Sequence, residues 1–548
     1  MLSNMSTSTQ LQLPVGLDDL PYEIIDQIFF GAVDLSQEYF NLARVSRQLN
    51  SLFIPRFFAH HKILDPTQVF TARVHCSPLA SEKKGRRVDV LAGLELAFDI
   101  NQVEDFTCVI VSNGYDDLPA TLRQYKRLVR VMERLDFVGK VTISLEVKNH
   151  FDIGGTELAE GGVEWRNTLE RLLNLILEKG CETMQVEGGS FPPRYLSVGQ
   201  NRNKLLSRTS NFRRVKGLVP ALLDISGVRR KHGRDSTPPL DPILLKQSAR
   251  HAMQLKHLLL SSKMLLLPPC SYWTYPVLAS PTLTSLTLTE VDFAAGVWEN
   301  VLSWLIYPLR QNLLELVISN CFNVPTGPLI DFIIQLEVLT HLRLCNPISD
   351  TRRYQLPKNV VPLPKLVSLN SHPDWINLLC PPSLPRPKLR TLGLILVEPD
   401  PFDFGACRHI LNPIVSNPAF LRKPFNPTVH VILYLNRLRY TALDFRKDLE
   451  RYTDPANRIG CDVHDHVTGL VMRGRALPNP AEESHLICQF LGWWKNLRTV
   501  EFVFWSGEIR DQWKEVWMSG ISTLLSNAKI YCPSVQEFTI FEKVYPVY

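Results

Sequence analysis

Four residues in one short polar stretch carry side chains that bind zinc in proteins. Cys461, His464, Asp465 and His466 offer a thiol, two imidazoles and a carboxylate. A structural zinc site needs four ligands, usually drawn from two pairs at recognisable spacing. The sequence has no second pair with that spacing, so a solvated polar loop is favoured over a metal centre. We predict neither a metal ion nor any other cofactor.

Motifs for nucleophilic or phosphate chemistry are absent from the sequence. It contains no Walker-type G-x-x-x-x-G-K-S/T, no G-x-S-x-G, no H-E-x-x-H and no kinase signature. A glycine-rich stretch from Gly154 to Gly162 contains Glu157 and Glu160 but few small residues that could cradle a phosphate, and it predicts a flexible loop. The chain is therefore predicted not to be an enzyme.

Basic residues are concentrated in one region that contains few acids. Such a cluster can be recognised by nuclear import receptors or can bind phosphate groups on a partner, although a solvated insertion is the favoured interpretation. A shorter run, Lys83, Lys84, Arg86 and Arg87, is interpreted in the same way. Interleaved aromatic residues are scarce, so nucleic-acid binding is not favoured. The larger cluster consists of Arg202, Lys204, Arg208, Arg213, Arg214, Lys216, Arg229, Arg230, Lys231 and Arg234.

Five tryptophans near the C-terminus have side chains that could line a ligand groove. Their helical or strand spacing favours core packing instead, and Trp505 has the position most suited to exposure because it follows the end of a predicted strand. The five are Trp493, Trp494, Trp505, Trp513 and Trp517.

Length and composition indicate a folded protein with two or more domains or with one elongated repeat array. The chain has 548 residues, of which 45% are hydrophobic and 21% charged, with a net charge of +6. Residues 1–16 are predicted to be disordered, and residues 1–13 lack the basic start and apolar run of a signal peptide. No apolar run is long enough for a membrane span, so we expect a soluble intracellular protein, cytoplasmic or nuclear. Its eleven cysteines include no C-x-x-C pair and are predicted to be buried thiols.

The clearest pattern is a repeated L-x-x-L-x-L spacing in the middle of the chain. Successive copies start roughly 23 to 30 residues apart, the period of leucine-rich repeats. The Leu-x-Leu end of each copy predicts a short strand, and helical stripes such as that from Leu329 to Leu336 predict the connections. The copies are Leu255, Leu258, Leu260; Leu283, Leu286, Leu288; Leu313, Leu316, Ile318; Leu339, Leu342, Leu344; a degenerate Leu366, Leu369; and Leu389, Leu392, Leu394.

Weaker copies extend this pattern in both directions. We therefore predict an α/β fold in which a leucine-rich-repeat βα solenoid covers residues 63–548 and is most regular at 250–396. Insertions are predicted at about 187–242 and 451–485, which are rich in polar residues, glycine and proline. The weaker copies are Leu91, Leu94, Leu96; Phe106, Val109, Val111; Val141, Ile143, Leu145; Met184, Val186; Val429, Val431, Leu433; Leu497, Val500, Phe502; and Val535, Phe538, Ile540.

The segment before the repeats, residues 17–62, has the pattern of two or three short helices. Pro21 suits the first position of a helix and Glu23 its first turn. Ser36 is a candidate N-cap for a second helix, which Pro55 is expected to end. About 40 residues cannot enclose a core of their own, so these helices should rest on the following domain or on another protein.

This segment resembles an F-box, the motif that docks substrate receptors on the Skp-type adaptor of cullin–RING ubiquitin ligases. The resemblance covers about 40 of 548 residues, and it departs from the family pattern at Leu49, where tryptophan is common, and at Ser46, where cysteine is frequent. It implies a three-helix F-box-like module with seven adaptor-binding residues. These are Leu20, Pro21, Ile24, Ile25, Ile28, Leu42 and Val45.

The resemblance implies a non-catalytic subunit of an SCF-type ubiquitin ligase complex. Its partners would be the Skp-type adaptor, through it a cullin, and a target protein bound by the repeats, with no membrane partner. The alternative is a repeat scaffold outside any ligase, whose N-terminal helices only cap the array.

Overall fold

The computed structural model describes the chain in fourteen segments, which form two compact units. The first unit comprises Met1–Val198, Val228–Leu255 and Met264–Thr274; the second comprises Gly199–Gly227, Lys256–Lys263 and Tyr275–Tyr548. The described residues contain thirteen helices and fifteen strands. They are residues 20–21, 23–24, 36–76, 89–112, 118–147, 157–189, 242–345, 363–380, 388–397, 428–435, 467–474, 479–492, 494–504 and 507–547.

The first unit is a parallel sheet of four strands with helices in the connections. The strands pair in sequence order, β1 with β2, β2 with β3 and β3 with β4. The elements are α1 Ser36–Ala43, α2 Arg47–His60, β1 Val69–His75, α3 Val90–Leu96, β2 Gln102–Ser112, α4 Leu118–Arg134, β3 Phe137–Val147, α5 Glu157–Glu178, β4 Thr183–Gly188 and α6 Gln247–Ala252. The division between the units falls within the next two helices, α7 Lys263–Leu266 and α8 Ser271–Leu278.

Apolar side chains at alternate positions of the strands form the core of this unit. In β2, Phe106, Cys108 and Ile110 are fully buried, and the residues between them face the other side. In-register partners on β3, Val141 and Ile143, continue the same buried rows. Side chains of alternate residues in a strand point to opposite faces, so one face of the sheet packs beneath the helices and the other carries the polar residues.

The second unit continues the same scheme with eleven strands in sequence order. All neighbouring strands are parallel except the last two, which pair antiparallel. The elements are β5 His257–Ser261, β6 Ser285–Thr289, α9 Ala295–Leu309, β7 Glu315–Ser319, α10 Thr326–Ile334, β8 His341–Leu344, β9 Ser368–Ser371, α11 Pro373–Leu379, β10 Thr391–Val397, β11 Thr428–Leu435, β12 Val467–Gly474, α12 Pro480–Gly492, β13 Thr499–Phe504, α13 Gly507–Tyr531, β14 Glu537–Ile540 and β15 Lys543–Pro546.

The predicted leucine repeats coincide with six neighbouring strands of this unit. Leu258 is in register with Leu286, Leu286 with Leu316, and Leu316 with Leu342. The row continues through Leu369 to Leu392. We call these six residues the leucine ladder. Every member is at most 1% exposed, because each side chain packs against the same residue type on the next strand.

One upstream copy of the repeat was wrongly predicted as a strand. Leu91, Leu94 and Leu96 belong to helix α3, in which Leu91 and Leu94 are fully buried. A spacing of three residues places two side chains on the same face of a helix as readily as it fits the start of a repeat. Asp89 caps this helix by accepting a hydrogen bond from Ala92 N at 2.9 Å, and the capped helix is the arrangement that forms.

Two helical segments also differ from the prediction. The helix predicted from Ser36 to Pro55 is instead two helices, α1 and α2, separated by a turn at residues 44–46. Pro55 does not end the second of them but lies inside α2, which continues to His60. Burial of Phe53, Phe57 and Phe58 on either side of the proline offsets the hydrogen bond that proline cannot donate. The glycine-rich stretch was predicted to be a loop, yet Gly161 and Gly162 lie within α5.

The predicted insertions overlap the described chain only in part. Within 451–485, strand β12 pairs with β11 and β13 as a regular member of the sheet, so that part of the interpretation was wrong. Nearly all of 187–242 lies outside the described residues, and so do residues 1–16, both basic runs, and the group from Cys461 to His466.

Candidate adaptor-docking surface

The turn between α1 and α2 presents one apolar side chain to solvent. Val45 is 66% exposed, and its N–H donates to the carbonyl of Leu42 at 3.0 Å, which closes the turn. Ser46 then caps α2, since its hydroxyl accepts a hydrogen bond from Leu49 N at 3.2 Å. Leu42, on the last turn of α1, is half-buried.

The opposite side of this helix pair is packed into the first unit. Leu49 is fully buried, together with Phe53 and Phe57. Tyr39 of α1 stacks on Phe53 of α2 with ring centroids 5.8 Å apart. Leu49, where the resemblance departs from the family pattern, thus faces the chain's own core.

Helix α3 has a glycine at the point where α2 crosses it. A side chain at Gly93 would overlap the ring of Phe57, so only glycine permits this approach. Phe58 continues the contact into the sheet, with its ring 6.0 Å from that of Phe70 on β1. The helix pair therefore shares a core with the sheet that follows it.

Asn50 ties α2 to the neighbouring elements through its side-chain amide. Its Nδ2 donates to the carbonyls of Ala43 and Leu96, both at 3.0 Å, and its Oδ1 accepts from Phe98 N at 3.3 Å. The side chain is only 1% exposed. A buried amide with its hydrogen bonds satisfied fixes the relative position of the elements that it joins.

Helix α3 is in turn anchored to α4 by a charged network. Arg127 donates to both carboxylate oxygens of Asp89 at 2.8 Å and to Glu95 at 3.1 Å. Although burial alone disfavours the charged guanidinium, the hydrogen bonds and charges of Asp89 and Glu95 raise the pKa of Arg127. The helix that supports α2 is thus held on two sides.

The seven predicted adaptor-binding residues have different environments. Pro21 is exposed, Ile24 is 42% exposed, and Leu20 is half-buried. The N–H of Ile24 donates to the carbonyl of Pro21 at 3.0 Å, as in the first turn of a helix. Ile25 and Ile28 lie outside the described residues. Two apolar side chains predicted to contact the adaptor, Ile24 and Val45, are therefore presented to solvent.

The other candidate chemical groups in the described residues are buried. Nine of the cysteines are buried thiols that form no disulfide, and burial raises the pKa of Cys108 and of Cys181 to about 12, so these two thiols stay protonated at neutral pH. Trp494 and Trp517 are core residues at 2% and 0% exposure, whereas Trp493, Trp505 and the side chain of Trp513 are not described. Within the described segments, no three His, Cys, Asp or Glu residues are placed to hold a metal ion.

Sequence patterns alone did not identify Asn50 and Gly93 as residues that position this surface. In the sequence, Asn50 has the position of an ordinary polar residue on an amphipathic helix. Gly93 interrupts a run of apolar residues and would be expected only to destabilise it. A glycine between buried leucines is the one available signal, because such a residue often marks a close approach of another element.

Comparison of the chain with protein-family models found no match, and comparison with curated proteins found none either. Among the described helices, none is both long enough and apolar enough to cross a membrane.

Proposed function

We propose that this chain is the substrate-recognition subunit of an SCF-type ubiquitin ligase. Its N-terminal helices dock on the Skp-type adaptor as an F-box does, and its leucine-rich repeats bind a target protein. The observation that carries the proposal is the exposure of Ile24 and Val45, at 42% and 66%, on a helical segment whose sequence resembles an F-box. Apolar side chains that are exposed to solvent are available to a protein partner.

The parallel strands and the leucine ladder support the assignment of a leucine-rich-repeat solenoid. Short parallel strands connected by helices, with leucines stacked in register, are what such repeats require. A receptor of this kind has no catalytic residues. It acts by holding a target lysine near the charged ubiquitin-conjugating enzyme, which raises the effective concentration of the two reactants.

A second candidate function is a repeat scaffold outside any ligase, and the packing of α2 favours it. Phe57 against Gly93 of α3 and Phe58 against Phe70 of β1 are the contacts of a helix that caps a sheet. Removal of residues 1–60 would expose that core under either function, so a deletion does not distinguish them. Substitutions of the exposed residues Ile24 and Val45 do.

The test is a pull-down of purified Skp-type adaptor with the full chain and a double variant, Ile24→Asp with Val45→Asp. Each change places a charge where the docked adaptor would exclude water, so we expect adaptor recovery to fall at least tenfold. The matched control is Leu64→Asp, because Leu64 is 92% exposed and lies outside the proposed surface. The scaffold alternative predicts no recovery of the adaptor by the unmodified chain, and equal recovery by all three proteins would also refute the docking proposal.

A further inference from the structure

One phenylalanine of the second unit is exposed to solvent just beyond the end of strand β7. Phe322 is 59% exposed, whereas its neighbour Cys321 is buried. A single exposed apolar residue is ordinary on a protein surface, so its surroundings decide whether it has a function. Around Phe322, the backbone is fixed and the neighbouring side chains are acidic.

Contacts on both sides hold the backbone of Phe322 in place. Its N–H donates to the carbonyl of Val291 at 3.1 Å, and its carbonyl accepts a hydrogen bond from Trp298 Nε1 at 2.8 Å. Trp298 is fully buried, and its ring packs edge-on against Phe293 with ring centroids 5.2 Å apart. The exposed ring is therefore attached to a backbone that is anchored in the core. A ligand that binds to it has little local ordering to impose.

A carboxylate lies beside this ring. Asp292 and Phe322 form a parallel β-bridge and occupy equivalent positions after β6 and β7. Bridged residues on neighbouring strands lie about 4.8 Å apart, with their side chains on the same face. The side chain of Asn323 fixes the carboxylate, because its Nδ2 donates to Asp292 Oδ1 at 3.1 Å.

The second carboxylate oxygen of Asp292 has only a weak partner. Lys263 Nζ lies 3.7 Å from Oδ2, which is too far for a hydrogen bond, and about half of each side chain is exposed. An exposed ion pair of this kind contributes little to stability, so a better ligand can replace the lysine. Glu290, directly after β6, adds an exposed carboxylate that forms no ion pair within the part of the chain that the structure describes.

An arginine side chain is the ligand that suits these groups best. Its planar guanidinium can stack on an aromatic ring while its N–H groups donate to a carboxylate beside that ring. A lysine ammonium is a point charge without a flat surface, so it stacks less well. An anionic ligand would be repelled by Asp292 and Glu290.

We propose that Phe322 and Asp292 bind an arginine side chain from a basic segment of the target protein. The guanidinium lies over the ring of Phe322 and donates to Asp292 Oδ2 in place of Lys263, while Glu290 attracts other basic residues of the same segment. This inference rests on the proposed function only in naming the partner as the target. Binding at this position does not require the adaptor.

Fluorescence anisotropy with a labelled hexa-arginine peptide and the full chain tests the proposal. The net charge of the chain is +6, so overall electrostatic attraction does not favour this peptide. We expect saturable binding that Asp292→Asn weakens about tenfold, because a charge-assisted contact is lost. Phe322→Leu keeps an apolar side chain but removes the ring, and it should weaken binding about fivefold. A labelled hexalysine peptide should bind less tightly than hexa-arginine.

Two substitutions on helix α9 provide matched controls. Tyr307→Leu removes an aromatic ring from a residue that is 65% exposed, and Glu299→Gln removes one exposed negative charge. Both controls should leave the affinity for hexa-arginine unchanged. All four variants should unfold at nearly the same temperature as the unmodified chain, because the altered side chains are exposed.

Several results would overturn the proposal. One is an equal hexa-arginine affinity for the unmodified chain and for the Asp292 and Phe322 variants, and another is equal affinity for hexa-arginine and hexalysine. Sedimentation velocity tests a different occupant: a dimer of the unmodified chain that Phe322→Leu abolishes would assign the surface to a second copy instead. The adaptor pull-down is a separate measurement. Its failure, with hexa-arginine binding as expected, would refute only the docking proposal, and the reverse pattern would refute only the arginine site.

Discussion

The strands from His257 to Leu344 and those from Val69 to Val147 form parallel sheets from different kinds of sequence. The first group has strands of four or five residues and stacks leucine on leucine. The second has strands of seven to eleven residues and stacks Phe70 on Phe106, with ring centroids 5.5 Å apart. Short strands repeat one residue type at one spacing, while longer strands have more inward positions and tolerate a mixture. A regular spacing of leucines in the sequence therefore indicates short strands as much as it indicates a particular fold.

The largest expected effect is a loss of stability in the first unit, where Phe70 stacks on Phe106. Phe106→Ala removes a fully buried ring and leaves a cavity, which should lower the free energy of unfolding by about 4 kcal/mol. Hydrogen exchange measured by mass spectrometry should show faster exchange in peptides from β1 to β4 and little change in those from β6 to β8. Thr107→Ala, on the outward face, is the control and should change exchange only slightly. Equal acceleration in both regions would contradict the division into two units.

A somewhat smaller effect is expected in the leucine ladder. Leu286→Ala removes a side chain that packs between Leu258 and Leu316 and should cost about 3 kcal/mol. The same exchange measurement should then localise the change to peptides from β5 to β8. Thr287→Ala provides the control for the outward face. A loss as small as that of the threonine variant would show that the ladder does not carry the packing described above.

The smallest effect is a dependence of stability on pH in the second unit. Burial lowers the pKa of His430, and burial also lowers the pKa of His372 despite the nearby carboxylate of Asp374. Below about pH 6.5 the unfolded chain therefore binds more protons than the folded chain, and stability falls as the pH decreases. Thermal unfolding should show that the free energy of unfolding falls between pH 7.5 and 5.5. In His430→Gln this fall should be smaller by about 1 kcal/mol or less. An unchanged pH dependence in that variant would exclude His430 as a contributor.

Sequence reasoning was most successful where one local rule decided the structure. The leucine ladder and strands such as β3 and β11 follow from spacing or alternation alone, because an inward position tolerates little besides an apolar side chain. Spacing failed at α3, where Leu91 and Leu94 suit a helix and a repeat equally well and the cap at Asp89 decides between them.

Other features depend on contacts between residues distant in sequence. Pro55 is tolerated inside α2 because the helix packs on α3 and β1, a contact that no local pattern contains. Strand β12 lacks a leucine repeat and begins within a polar segment, so only its pairing with β11 and β13 identifies it. The close approaches at Gly393 and Gly469 were missed for the same reason: each glycine meets the side chain beside it, Asn370 or His430, only through strand register.

The hydrogen bonds of Asn50 have a consequence for how long a protein bound at this turn would stay. They hold the turn that carries Val45 in one conformation before any partner arrives. A protein that covers this turn then has little local ordering left to impose, and pre-organisation of this kind reduces the entropic cost of complex formation. Loosening the turn through Asn50→Ala should therefore act on the lifetime of the complex more than on the encounter rate.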